Sequence, residues 1–264
     1  MKTLIFTDLD GTFLNHSDYS FEDSKEALEK ISQKNIPLIF TTSKTKVEVE
    51  LLQKKVGIKE PFIIENGAAI FIPKNYQKLD FSFLDEFEDY NIFQFGLDYD
   101  QILNFYQKYK VEFGMFGFSD MSLQEVANYT GLNIEDVKLS KQRGFTEPFL
   151  LKDDSVLENL QNLALTYNIK ITKGGRFYHL IGEFQDKGKA VVKTKKIFKD
   201  IYNKKINSIA LGDGENDIAM LESVITPIII KNHKDEYLDC DIKNIQKSTY
   251  QGSKGWNEMV LKNV

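Results

Sequence analysis

The sequence predicts an α/β fold: a parallel sheet covered by helices on both faces, interrupted by an inserted α+β module. Three observations lead there. Apolar runs without polar alternation recur at both ends of the chain, separated by amphipathic helical patterns, as strands covered on both faces require. Three of these runs end in polar or acidic clusters, Asp8 with Asp10, Thr42 with Ser43, and Asp213 with Asp217. Between about 83 and 185 the texture changes to dense aromatics, from Phe87 through Phe118, with short strand patterns.

The elements follow in order. Residues 3–7 (TLIFT) read as a buried strand ending at Asp8, and 21–34 as a helix with Phe21, Ala27, Leu28 and Ile31 on its apolar face. Residues 36–42 give a second strand, 45–56 a helix, 62–64 a third strand and 70–72 a fourth. In the middle, helical patterns near 100–110, 119–130 and 154–167 precede strands at 169–172 and 177–181; Gly174, Gly175 and Arg176 between them suggest a hairpin turn. The sheet pattern then resumes: helix 187–202, strand 206–211, helix 216–222, strand 225–230 and a last helix at 252–262 carrying Trp256, Met259 and Val260. Pro227 favours an edge position or a strand start for 225–230. The division expected is 1–82 and 186–264 for the sheet domain and 83–185 for the insert.

Composition narrows the function classes. Hydrophobic residues at 42% supply a core, and a net charge of −5 lacks the basic field on which nucleic-acid affinity leans. No apolar stretch approaches eighteen residues, so no membrane span is expected. The single cysteine, Cys240, excludes an intrachain disulfide and fits a reducing, cytoplasmic setting. Only two arginines occur, Arg143 and Arg176, and a guanidinium grips an oxyanion in a fork that lysine lacks.

Sites in open parallel sheets form beyond the carboxyl ends of strands, where the acidic clusters fall. An Asp-Gly pair alone is usually a turn. Two such segments, DLDG at 8–11 and GDGEND at 212–217, each following an apolar strand at opposite ends of the chain, call for more than a turn. Gly11 lets the chain turn so that Asp10 returns toward Asp8. Adjacent carboxylates repel unless a cation lies between them, and oxygen-only ligands suit Mg²⁺.

These segments resemble the haloacid dehalogenase superfamily of phosphatases. The motifs are Asp8-Leu9-Asp10-Gly11-Thr12, Thr42 within TTSKT, Lys187 followed by Gly188, and Gly212 through Asp217. The insert resembles in place and size the α+β caps of the Cof-type branch, which implies a Rossmann-like parallel-sheet core. The resemblance implies that Asp8 attacks phosphorus and that Asp10 acts as general acid and then base. It implies Mg²⁺ held by Asp8, the Asp10 carbonyl and Asp213, with Asp217 close or acting through water. Thr42 and Lys187 would bind phosphate oxygens, and Asn216 would support the fourth loop.

A narrower resemblance, to the mannosyl-3-phosphoglycerate phosphatase family, rests on TTSKT at 41–45, Glu65-Asn66-Gly67, RGFTEP at 143–148 and GGRFYH at 174–179. Ser43 and Lys44 stand where the general Cof-type pattern more often has glycine and arginine, consistent with the narrower family, and join the substrate-binding candidates. The substrate implied is a hexose joined to 3-phosphoglycerate, mannosyl or its glucosyl epimer. Its carboxylate needs a second cation, for which Arg176 and then Arg143 are the candidates. Glu65, Asn66, Glu147 and His179 are the candidates for sugar hydroxyls. A broad sugar-phosphate phosphatase shares the same core motifs, and a catalytically silent scaffold would lack the acids that are present here.

Overall fold

The computed structural model describes residues 1–174 and 176–264. Its elements are β1 (Lys2–Thr7), α1 (Lys25–Gln33), β2 (Leu38–Thr41), α2 (Lys46–Val56), β3 (Phe62–Ile64), β4 (Ala69–Pro73), β5 (Asp85–Phe87), β6 (Tyr90–Gln94), α3 (Tyr99–Phe113), β7 (Met115–Gly117) and α4 (Leu123–Thr130). There follow α5 (Ile134–Ser140), β8 (Glu147–Leu151), α6 (Leu157–Leu165), β9 (Ile169–Gly174), β10 (Phe177–Gly182), α7 (Lys187–Tyr202), β11 (Ile206–Gly212), α8 (Ile218–Glu222), β12 (Thr226–Lys231), β13 (Gln246–Gln251) and α9 (Gly252–Asn263).

The larger sheet has strand order β13-β12-β11-β1-β2-β3-β4-β6-β5. From β13 to β3 neighbouring strands are parallel. Successive β1 residues serve opposite faces: Leu4 and Phe6 pack with Phe198 and Met220 on one side, Ile5 with Phe40 and Trp256 on the other. All three are fully buried, which explains the unalternating apolar run. β1 connects onward toward β2 on one side while β11 lies on the other, so the order switches beside β1 and opens a crevice at the strands' carboxyl ends.

The sheet departs from the expected parallel pattern after β3. β4, β6 and β5 are antiparallel additions. The cause is local: Glu65, Asn66 and Gly67 all take positive φ (46°, 60° and 89°) and reverse the chain within four residues. A parallel return would need a crossover of a dozen or more residues. At the other end, β13 was not foreseen. Its presence makes β12 an internal strand, and Pro227 is tolerated because pairing with β13 begins only at Ile228.

A second, antiparallel sheet has order β7-β8-β10-β9. One face buries Phe149, Tyr178 and Leu180 against Ile102 and Phe105 of α3 and Leu160 of α6. On the opposite face β9 and β10 pair Thr172 with His179 and Lys170 with Ile181. β9 and β10 are antiparallel neighbours; Gly175, the second glycine of the expected turn, lies outside the described residues. The short α5, which the sequence pattern does not predict, is capped by Asn133, whose side chain accepts from the Asp136 N–H.

Candidate active site

Parallel pairing of β1 with β11 brings Thr7 level with Leu211, so Asp8 and Asp213 emerge side by side from adjacent strands. One carboxylate oxygen from each of Asp8, Asp213 and Asp217 lies within 4.8 Å of the others. Lys187, first residue of α7, reaches this cluster. Its Nζ donates to Asp8 Oδ1 at 2.7 Å and to Asp217 Oδ1 at 2.7 Å. The second Asp217 oxygen accepts from the backbone N–H groups of Asp213 and Gly214, both at 3.1 Å. Asp217 thus fixes the lysine and its own loop, while Asp8 and Asp213 keep oxygens turned to the crevice.

Three carboxylates, Asp8 and Asp217 buried and Asp213 half-buried, face one ammonium, an excess of two negative charges. The electrostatics follow. Burial, then Asp217, pushes the Asp8 carboxyl up to about 7, against the pull of Lys187. Burial, then Asp8 and Asp217, likewise raises Asp213 well above the carboxylate range. Burial draws Lys187 down, but Asp217 and Asp8 outweigh it and hold the ammonium above the usual lysine value. Gly11 is constrained by the same cluster. With φ +81° it takes a left-handed turn, and a Cβ there would stand 2.5 Å from Asp213 Oδ2.

Asp10 points elsewhere. Its Oδ2 pairs with Lys44 Nζ at 2.8 Å, and its Oδ1 is buried without a hydrogen-bond partner. Lys44 is mostly buried; that draws its ammonium down, but Asp10 and Glu48 outweigh burial and keep it charged. Thr42 is buried at the end of its strand, its Oγ1 accepting from the Lys44 N–H at 3.1 Å. The neighbouring Ser43 lines the cavity above the acids.

That cavity, about 380 Å³, lies between the two sheets and is lined by Asp8, Asp10, Ser43, Asn66, His179, Asp213 and Asn216 among others. His179 presents a buried Nδ1 with no partner, while the Gly174 backbone hydrogen-bonds the ring. Burial, then the Arg143 charge, lowers this histidine to about 3, so the ring stays neutral and Nδ1 can accept a hydrogen bond. Asn66 and Asn216 face each other, Asn216 Nδ2 donating to Asn66 Oδ1 at 3.5 Å.

The remaining sequence candidates sit differently. Glu65 is fully buried and accepts from Gly144 N at 2.7 Å, Phe145 N at 3.2 Å and Thr146 Oγ1 at 2.7 Å. Arg143 pairs with it, Nε to Oε2 at 3.3 Å, and donates to the Ser43 carbonyl at 3.0 Å. Together they clamp the 143–146 loop to the turns that follow β2 and β3. Glu147, also fully buried, accepts from the Tyr99 hydroxyl at 2.6 Å and from Ser119 N and Oγ at 2.8 and 2.7 Å. Arg176 is exposed and donates to the Tyr129 carbonyl, outside the lining of the cavity.

Further side chains brace the site. Thr12 donates to Asp213 Oδ1 at 2.6 Å. Trp256 donates to Thr7 Oγ1 at 3.0 Å, and Thr7 in turn to the Asp8 carbonyl at 2.7 Å, so α9 braces the Asp8 backbone. His16 and His233 stack with ring centroids 3.9 Å apart and form a wall shared with a larger neighbouring cavity of about 640 Å³.

A model of the haloacid dehalogenase-like hydrolase family matches residues 5–249. The chain belongs to the haloacid dehalogenase-like hydrolases. This hydrolase is a phosphoric monoester hydrolase, and its clustered Asp8, Asp213 and Asp217 make a candidate divalent-metal site. It is 48% identical over 257 residues to the glucosyl-3-phosphoglycerate/mannosyl-3-phosphoglycerate phosphatase of Persephonella marina, covering 97% of this chain and 95% of that one. It is 31% identical to the mannosyl-3-phosphoglycerate phosphatase of Pyrococcus furiosus, covering 94% and 99%. Among solved structures, the Synechocystis sucrose-phosphatase bound to sucrose and phosphate shares the fold at TM-score 0.62 and 15% identity, over 99% of this chain and 98% of that one. Among the described residues no helix is long and apolar enough to cross a membrane.

Proposed function

We propose that the hydrolase removes phosphate from glycosyl-3-phosphoglycerates, mannosyl and glucosyl alike, through a phosphorylated Asp8, giving the glycosylglycerate, a compatible solute, in the cytoplasm. The observation that carries the mechanism is the division of labour between two aspartates. Asp8 is anchored by Lys187 among the metal-ligand candidates, while Asp10 is held apart by Lys44 with a buried oxygen free. The substrate class rests on relatives of near-full coverage. The Persephonella enzyme at 48% identity is named for both sugars, which favours dual use over mannosyl alone.

The donor set fits Mg²⁺: carboxylate oxygens only, an excess of two negative charges, and a backbone turn at Gly11 that leaves Asp213 no competing side chain. Asp8, Asp213 and the Asp10 carbonyl would hold the ion, with Asp217 behind them. When bound, Mg²⁺ supplies the positive charge that lets a carboxylate approach an anionic ester.

The chain's own residues do the rest. An Asp8 oxygen bonds to phosphorus as the bond between phosphorus and the ester oxygen breaks, and Asp10 gives its proton to the departing alkoxide. Asp10, now ionised, takes a proton from water, whose oxygen attacks the aspartyl phosphate and releases inorganic phosphate and free Asp8. Lys187 and the Thr42–Ser43 turn bind phosphate oxygens, with Asn66 and Asn216 beside them. His179 Nδ1 accepts from a sugar hydroxyl. The β7–β10 sheet with its helices serves as the cap within the 83–185 insert, and Glu65 and Arg143 position it from beneath. Arg176 reaches substrate only by leaving Tyr129.

The test is a phosphate-release screen with Mg²⁺ comparing mannosyl- and glucosyl-3-phosphoglycerate with hexose phosphates. The reading predicts kcat/KM for both glycosyl esters at least ~100-fold above the hexose phosphates, a difference of about 2.7 kcal/mol. Equal turnover of all would support a broad phosphatase instead.

A further inference from the structure

A glycosyl-phosphoglycerate brings a carboxylate as well as a phosphate, and most cations near the site are already committed. Arg143 is paired with Glu65, Lys44 with Asp10, and Lys187 with Asp8 and Asp217. Lys173 lines both cavities but is exposed and leans on Tyr178, its Nζ 3.4 Å from the hydroxyl and 5.0 Å from the ring centre. Arg176 lines neither cavity at the site.

Lys170 differs from all of these. It lies opposite Ile181 across the β9–β10 pair, on the sheet face that also carries Thr172 and His179. With Ile181 it lines a second cavity of about 360 Å³, which reaches Lys187 and shares Asn66, Thr172, Lys173 and Asn216 with the candidate-site cavity. It is half-buried, and among the described residues no carboxylate comes within 4.0 Å of its ammonium. We propose that Lys170 is the cation that receives the substrate's carboxylate, in a subsite that adjoins the candidate-site cavity and shares Asn66 and Asn216 with it.

This rests on the glycosyl-phosphoglycerate reading and deepens it. Partial burial sharpens the point, since it draws the Lys170 ammonium below the usual lysine range while Asp186, the next influence, pulls the other way. An incoming carboxylate would supply the missing counter-charge where water is already partly excluded. Asp186 does not do so directly, because its Oδ1 caps α7 by accepting from Lys189 N at 2.9 Å. A single ammonium on a flexible stem also holds an acid without dictating one approach direction, so either sugar epimer can follow.

The test is competition against p-nitrophenyl phosphate hydrolysis by the Mg²⁺-loaded enzyme, comparing 3-phosphoglycerate with glycerol 3-phosphate, which lacks the carboxylate. The wild type should bind the acid roughly 10- to 100-fold more tightly, the range of a charge-assisted hydrogen bond. Lys170→Gln should bring the ratio of the two inhibition constants to within about 3-fold of unity, and Lys170→Arg should restore most of it. A wild type that does not distinguish the two compounds, or a Lys170→Gln protein that melts like wild type and keeps the ratio, overturns the assignment. Turnover of the glycosyl esters separates the two readings. An enzyme that prefers the acid through Lys170 but cleaves neither glycosyl ester refutes the substrate and keeps the subsite. One that cleaves both esters with the ratio untouched by Lys170→Gln refutes the subsite and keeps the substrate.

Discussion

Replacing Asp8 with Asn removes one of three clustered carboxylates around a single ammonium, and stability should respond before activity is considered. Burial and Asp217 lift the Asp8 carboxyl from 3.8 to about 7 in the fold. Each pH unit of such a shift is about 1.4 kcal/mol. At pH 8 the wild type ionises this group in both states, so the fold bears a cost of up to about 4 kcal/mol that the amide lacks. At pH 5 the folded carboxyl is protonated while the unfolded one, with its ordinary value, is ionised; the cost falls below about 2 kcal/mol. The sign is that of a raised acid: stability is full below the unfolded value and is lost as pH rises through the folded one. Thermal melts in EDTA read this directly, at about 2–4 °C per kcal/mol for a chain of this size. Metal-free Asp8→Asn should melt several degrees above wild type at pH 8, and the gap should narrow at pH 5. A variant less stable than wild type at pH 8, or a gap independent of pH, would refute the electrostatic account of the cluster.

Other perturbations test other parts. Lys44→Met removes the partner of Asp10 and should lower kcat by about 10- to 100-fold with less effect on KM, measured by steady-state phosphate release; an unchanged kcat would remove Lys44 from the positioning of Asp10. Gly11→Ala forces a Cβ onto Asp213 Oδ2 in a left-handed turn and should cost about 1–2 kcal/mol in denaturant melts, along with most of the phosphate release; near-wild-type turnover would show the turn to be pliable. Glu65→Gln leaves Arg143 buried without its counter-charge and should destabilise by about 3 kcal/mol in urea unfolding, whereas a change under about 0.5 kcal/mol would mean that the clamp contributes little.

The floor of the candidate site is legible because its residues follow buried strands. Asp8, Thr42 and Asp213 each follow a run such as TLIFT or INSIAL, and parallel pairing brings strand ends together wherever the chain places them. The antiparallel extension was harder to read, since three successive left-handed residues at 65–67 decide it and only one is glycine. β13 reads QKSTYQ, a polar edge strand with a single buried side chain, Ser248, and hence without a hydrophobic period. The partners of Glu65 lie some eighty positions away, so pattern alone offered a sugar contact where the structure shows a buried ion pair. Lys170 and the His16–His233 stack belong to no motif; they acquire meaning only from the cavities they line.

The proposed attack by Asp8 can be trapped chemically. In a single turnover with Mg²⁺ and substrate, stopped by acid and then reduced with borohydride, an aspartyl phosphate becomes a homoserine at the position that carried it. Peptide mass spectrometry should find that conversion at residue 8 alone, and nowhere when EDTA replaces Mg²⁺. Phosphate release with no conversion at residue 8, or conversion at another acid, would contradict the assignment of Asp8.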